Sequence, residues 1–252
     1  MRLVVAIVVA MLLTSQAWAG NVWPEAGLYA ARSLVSGSGA ATRGDAVISC
    51  FRRVLVKVSG DPSLLEDERV LPFEPLAAAM VEDFAYQDRM SDIPHHDEQG
   101  TRDRPFDVSM SFEPAKVDAV LTLLGSLPYR GPRPKLVVRV MVEDRGARFP
   151  LTADAEADEQ QREALLAAAD RFAMRVVLPD STAIGAPAAD AAVLSGTLVW
   201  DEAAFGWVGK WRFAWKGLRG GAREWGISGV SFDDAMRDAV GGSLAALAGY
   251  PR

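Results

Sequence analysis

The stretch Phe205–Lys216, FGWVGKWRFAWK, constrains this chain more than any other. At period two, Trp207, Gly209, Trp211, Phe213 and Trp215 fall on one side. Val208, Lys210, Arg212, Ala214 and Lys216 fall on the other. Alternate side chains of a strand point to opposite faces, so the spacing predicts a strand with one aromatic and one largely cationic face. So much aromatic surface needs a cover. The C-terminus supplies a candidate. Ser231-Phe232-Asp233-Asp234 has capping-box form. Phe232, Ala235, Met236, Ala239, Val240, Leu244 and Leu247 then trace one helical face up to Gly249-Tyr250-Pro251. That face is expected to pack on the Trp207, Trp211 and Trp215 side of the sheet.

The other elements of the C-terminal half fit the same sheet. Lys135–Glu143 reads as a buried strand, 145–152 as a loop, and 154–172 as a helix with Leu165, Leu166, Ala169 and Phe172 inward. Short strands are expected at 174–178, 193–201 and 223–230, with Leu218-Arg219-Gly220-Gly221 as a hairpin turn. Toward the N-terminus, 28–36 reads as a strand. Thr42–Asp45 resembles a capping box ahead of a helix carrying Val47, Phe51, Val54 and Val58, ended by Gly60 and Pro62. The cations Arg52, Arg53 and Lys57 near its end read as a solvated face suited to the helix dipole. A second helix is expected over 74–88 on Leu76, Met80, Val81 and Phe84, then an exposed loop to Arg104. A half-buried strand at 106–112 and a helix opening at Pro114 follow. The Pro- and Gly-rich segment 128–134 separates the halves. The expected fold is α/β of the α+β kind: two small α/β subdomains at 20–127 and 135–252, the second a mostly antiparallel sheet covered by helices.

Residues 1–19 read as a cleavable signal peptide. Arg2 precedes the apolar run Leu3–Leu13, and Ala17-Trp18-Ala19 offers small residues at the cleavage positions. The run of about 11 residues is shorter than the ~20 that span a bilayer, so no membrane span is expected after cleavage and the location expected is the periplasm. The chain carries 27 basic against 33 acidic side chains, a net charge of −6, one unit more negative once Arg2 leaves with the leader. That balance argues against nucleic acid and anionic membrane as partners. The single Cys50 rules out an intramolecular disulfide and, on an apolar helical pattern, reads as a buried structural thiol.

Several motifs carry a family resemblance. Val54–Leu65 (VLVKVSGDPSLL), Phe112-x-Pro114 ahead of the 117–124 helix, and the loop Leu127–Pro134 leading into a hydrophobic strand resemble, in order and spacing, the DUF2066 family of uncharacterised exported bacterial proteins. Members usually show a Trp-Gly pair before the Arg-Pro of that loop, where this chain has Tyr129 and Arg130. The resemblance implies an exported α/β protein and assigns no catalytic residues. More loosely, the C-terminal element order resembles small modules of envelope accessory proteins, which serve as adaptors.

No nucleophile elbow, P-loop, dinucleotide fingerprint or HExxH motif is present. His95 and His96, the only histidines, lie in a polar string with no distant His to complete a ligand set. No metal and no cofactor is therefore expected, and no catalytic residue is assigned. The binding surface expected is the Pro-stiffened loop with Tyr129, Arg130 and Arg133. The function expected is a periplasmic, non-enzymatic adaptor or binding module contacting another envelope protein. Two alternatives stand beside it. One is an envelope glycan or cell-wall hydrolase using paired carboxylates. The other is a small-ligand carrier with a pocket between the subdomains.

Overall fold

The computed structural model describes residues 25–91, 104–156, 158–182 and 185–251. The leader expected at 1–19 and the His95-His96 string lie outside them. The fold is α+β, with two sheets that each carry their own buried apolar cluster.

In the first sheet, the single turn α1 (Glu25–Leu28) leads into β1 (Ala30–Ser36). Helix α2 (Ala40–Ser59) buries the expected stripe: Val47, Phe51, Val54 and Val58, with Cys50 and Leu55. Gly60 ends it in the left-handed region (φ 77°), its N–H donating to the Val56 carbonyl. The helix starts earlier than the capping box implied, at Ala40 with Gly39 as N-cap. The Thr42 hydroxyl donates back to the Gly37 and Gly39 carbonyls.

Residues 74–88 depart further from expectation. Only one turn, α3 (Glu74–Ala77), and a 3-10 turn at Ala78–Met80 form; β2 (Val81–Asp88) follows. It pairs antiparallel with β3 (Pro105–Phe112), which pairs with β1 on its other side, giving the order β1-β3-β2. Val81, Phe84 and Tyr86 suit a strand, and the free side of β3 supplies a full ladder of backbone partners. That tertiary gain outweighs a helical periodicity of four residues. Leu76 and Phe84 are accordingly exposed, and of the four only Met80 is buried. Helix α4 (Pro114–Leu123) buries Val117, Val120 and Leu121 as expected.

The second sheet is built around β4 (Lys135–Asp144). The stretch read as a loop contains β5 (Ala147–Pro150), which folds back antiparallel on β4 through positive-φ Arg145 and Gly146. Helix α5 (Glu159–Arg171) then crosses to β6 (Arg175–Val177), parallel to β4 on the same side. It starts later than expected because the acids ahead of it serve other partners. Asp154 accepts from the Ser181 N–H (2.8 Å) and hydroxyl (2.9 Å), and buried Asp158 from the Thr152 N–H (2.6 Å) and Arg162 (2.6 Å). Leu166, expected inward, is exposed; Leu165, Ala168 and Ala169 are buried. Strand β7 (Ala192–Asp201) runs parallel to β4. The meander of β8 (Gly206–Ala214) and β9 (Arg223–Val230) completes the order β5-β4-β7-β8-β9.

Helix α6 (Phe232–Ala248), its first turn capped by the Ser231 hydroxyl accepting from the Asp234 N–H (3.1 Å), covers the aromatic side of β8. Trp211 is 2% exposed and Phe213 0%, while Lys210 and Arg212 face out. Phe232 and Trp200 meet Trp207 edge-on, at centroid distances of 6.4 and 5.8 Å. Two glycines in mid-helix permit this packing. A Cβ at Gly241 would stand 2.8 Å from the Phe172 ring, and one at Gly242 would run into the Trp225 indole.

Trp211→Ala is expected to lose roughly 3–5 kcal/mol in a denaturant titration, as for a large side chain cut out of a packed core. Gly242→Ala improves helix propensity by about 1 kcal/mol, yet is expected to lower the melting temperature, because the Trp225 ring, bonded through Nε1 to the Asp238 carbonyl (3.3 Å), has to shift to admit the Cβ. An unchanged or raised melting temperature would refute that packing.

Candidate functional site

The loop expected to bind a partner is occupied by its own chain. Tyr129 donates its N–H to the Val58 carbonyl (2.9 Å) and its hydroxyl to the Pro132 carbonyl (2.9 Å). Its ring curls over Gly131, where a Cβ would come within 2.5 Å. Arg130 pairs with Asp118 of α4 (2.7 Å), the same carboxylate that accepts from the Tyr29 hydroxyl (2.8 Å). The Arg133 guanidinium lies over the Tyr129 ring and donates to two carbonyls, Phe172 (2.7 Å) and Lys57 (2.6 Å). Those carbonyls belong to the ends of α5 and α2. The three residues are thus brought together as a clasp between the two sheets. Arg130 keeps an exposed side chain; Arg133 is largely buried, and burial pulls its guanidinium down to about 10, still charged at neutral pH.

The open space lies beside the clasp, in a cleft between the two cores. One lobe, about 370 Å3, runs between edge strand β1 and the alanines Ala164, Ala167 and Ala168 of α5. The other, about 610 Å3, is lined by Val56, Pro62, Leu65, Phe172, Ile227 and Val230 among others. Both volumes fall in the roughly 300–1,000 Å3 range of small-molecule sites. The residues common to both linings are Arg53 of α2, Arg171 of α5 and Arg237 of α6.

The linings mix cations and acids, with the three arginines where the lobes meet. Arg53 donates to the Arg32 carbonyl (2.8 Å), and Lys57 to the carbonyls of Ala30 (2.6 Å) and Gly27 (3.3 Å). The Tyr29 carbonyl accepts from Phe112 of β3, so by strand alternation Ala30, Arg32 and Leu34 turn their backbone groups away from β3, toward the cleft. Lys57 and Arg53 therefore cap the free edge of β1. Arg237 pairs with Asp234. Arg171 makes no hydrogen bond or ion pair among the described residues. Burial first, then the fields of Arg53 and Arg237, pull its guanidinium down to about 10. Burial also pulls the Lys57 ammonium from 10.5 to about 8, the Asp170 carboxylate acting against the shift. Burial pushes the Cys50 thiol up to about 11, consistent with an unreactive interior thiol.

Of these groups, Arg53 and Lys57 correct an expectation. Lys57, read as part of a solvated face, is 3% exposed. The available signal was two cations four residues apart on one helix face with no acid between them to pair. Arg171 and Arg237 carried no local signal at all. Among the described residues no group of three His, Cys, Asp or Glu side chains could hold a metal ion.

Residues 24–128 match the family model "Domain of unknown function (DUF8605)". That stretch spans the first sheet with α2 and α4 and ends just before Tyr129. The resemblance to DUF2066 is thereby corrected: Val54–Leu65 and Phe112-x-Pro114, two of the motifs whose joint order carried it, lie inside the match to this different domain. Comparison with curated proteins and with solved structures finds no match.

The Lys57 shift has a signed consequence. Its folded value of about 8 lies below the unfolded 10.5, so between those limits the unfolded chain holds a proton the folded chain has lost. Stability therefore rises with pH across that window, and below pH 8 the cost of burying the ammonium is present in full. In denaturation measured from pH 7 to 10, wild type is expected to gain on Lys57→Met as pH rises. Parallel curves for the two proteins would refute the burial of a titrating amine.

Proposed function

We propose that the chain is an exported, non-enzymatic binding module of the bacterial cell envelope, acting in the periplasm, and that its site is the cleft between the two sheets. The observation that carries this reading is the uncommitted Arg171 guanidinium at the junction of two cavities, held beside Arg53 and Arg237. A half-buried guanidinium with no partner among the described residues is left for water or a ligand to satisfy, and on the wall of a cleft this size a ligand fits that place. Small-molecule sites favour the seam between two packed units, which is where this one lies. Export is supported by the leader pattern of residues 1–19. The net charge of −6 argues against nucleic acid as the partner. The clasp of Tyr129, Arg130 and Arg133 has a positioning part in this reading: it sets the width of the cleft.

Expression of the full chain in a Gram-negative host, fractionation and intact-mass measurement test the proposal. The expected product is periplasmic and begins at Gly20. Native mass spectrometry of that product is expected to show a bound small species, absent from Leu65→Trp, which fills the second lobe from an exposed position. An unprocessed cytoplasmic product would overturn the export. Identical spectra from open and filled clefts would overturn the site.

A further inference from the structure

We infer that the cleft takes a small amphipathic anion, an oxyanion head bound by Arg171, Arg53 and Arg237 and an apolar body lying along Leu65, Phe172 and Ile227. The inference rests on the cleft being the binding site and names the chemistry that fits it.

Three features select this class. First, the two lobes differ in character and share only the arginines among their lining residues. A ligand seated on those arginines reaches the apolar lobe without leaving its counter-charges. Second, the group without a partner among the described residues where the two lobes meet is a donor, Arg171. The edge carbonyls of Ala30 and Arg32 already accept from Lys57 and Arg53, while Arg171 has all its N–H groups to give. Of the acids in the two linings, Asp234 pairs with Arg237 and Ser231 and Asp107 with Arg89, Glu66 is exposed at the rim, and Asp238 is buried in α6. Asp170 acts on Lys57, and Asp233 stands exposed at the head of α6. A cluster of donors is matched by a group that only accepts, a carboxylate or a phosphate. Third, the second lobe exposes apolar surface on opposite walls: Val56 and Leu65 on one side, Phe172, Ile227 and Val230 on the other. A bare inorganic anion would leave that surface wet. An extended peptide adding to β1 needs edge carbonyls that Lys57 and Arg53 already hold.

Isothermal titration of the processed chain tests this with five probes: sodium decanoate, decyl phosphate, 1-decanol, inorganic phosphate and an oligoglutamate peptide. Decanoate or decyl phosphate is expected to bind, and the better of the two tells a carboxylate from a phosphate head. Decanol and inorganic phosphate are each expected to bind at least about tenfold more weakly, having lost one half of the match. Arg171→Gln removes no contact that holds the fold, and its melting temperature checks this. It is expected to weaken the anionic amphiphile about tenfold or more while leaving decanol unchanged. Leu65→Asp, at the partly exposed mouth of the apolar lobe, is expected to weaken both amphiphiles. Equal affinity for decanoate and decanol, or a folded Arg171→Gln that binds decanoate as wild type does, would overturn the inference. Tight binding of the oligoglutamate alone would overturn it in favour of an acidic peptide, while leaving the cleft as the site. If no probe binds and native spectra from open and filled clefts are also identical, the broader reading falls with it.

Discussion

The Arg133 guanidinium, by bonding the last carbonyls of two helices from different cores, decides the geometry on which the rest depends. Lys57 and Phe172 stand at or beside the C-terminal ends of α2 and α5, where helix dipoles concentrate negative potential and carbonyls lack intrahelical partners. A single planar cation satisfies one carbonyl from each. Hydrogen bonds of that charged kind contribute about 1.5–3 kcal/mol apiece, and the stacked Tyr129 ring holds the fork in plane. Around the clasp the seam is closed by Gly60 against Leu244 and Ala248, and by Ser126 bonded to the Tyr250 hydroxyl at 2.8 Å. Closed there, the two cores splay apart elsewhere, and the splay is the cleft.

Where the two lobes meet, cations from three helices stand among the acids of the lining. Each is placed for its own helix: Lys57 and Arg171 in C-terminal turns where the dipole welcomes them, Arg237 beside Asp234 in the first turns of α6. Assembly then puts Arg53, Arg171 and Arg237 side by side, and mutual repulsion and burial act together on Arg171. The apolar cores on either side supply the stability that tolerates this. Phe172 links them physically, packing against the buried clusters of both sheets.

Much of the fold was legible along the chain. The aromatic face of β8, the capped α6 that covers it, and the stripe of α2 all follow from side-chain period alone, because burial of a face repeats with the geometry of the element. Misreadings arose where a distant partner outvoted local pattern. Residues 81–88 have a helical spacing but lie beside the open edge of β3. Asp154 and Asp158 look like a helix start but bond Ser181 and Thr152. Gly241-Gly242 has no local purpose in a helix, and its reason is two rings, Phe172 and Trp225, that arrive from elsewhere. The site was less legible still. Tyr129, Arg130 and Arg133 stood out because they are close in sequence; Tyr129 and Arg133 bond backbone carbonyls of the chain itself, and Arg130 pairs with Asp118 while staying exposed. The residues facing the cleft come from α2, α5 and α6, more than 60 residues apart in each step by their numbers.

The sequence by itself determined which faces must be hidden, since alternation and helical period record burial directly. It also determined the acidic charge, the lone interior thiol and the leader pattern. Only the tertiary structure decided where the two cores meet and which cations share that seam. Adjacency across a packed interface depends on how whole elements dock, and no spacing within any one element encodes it.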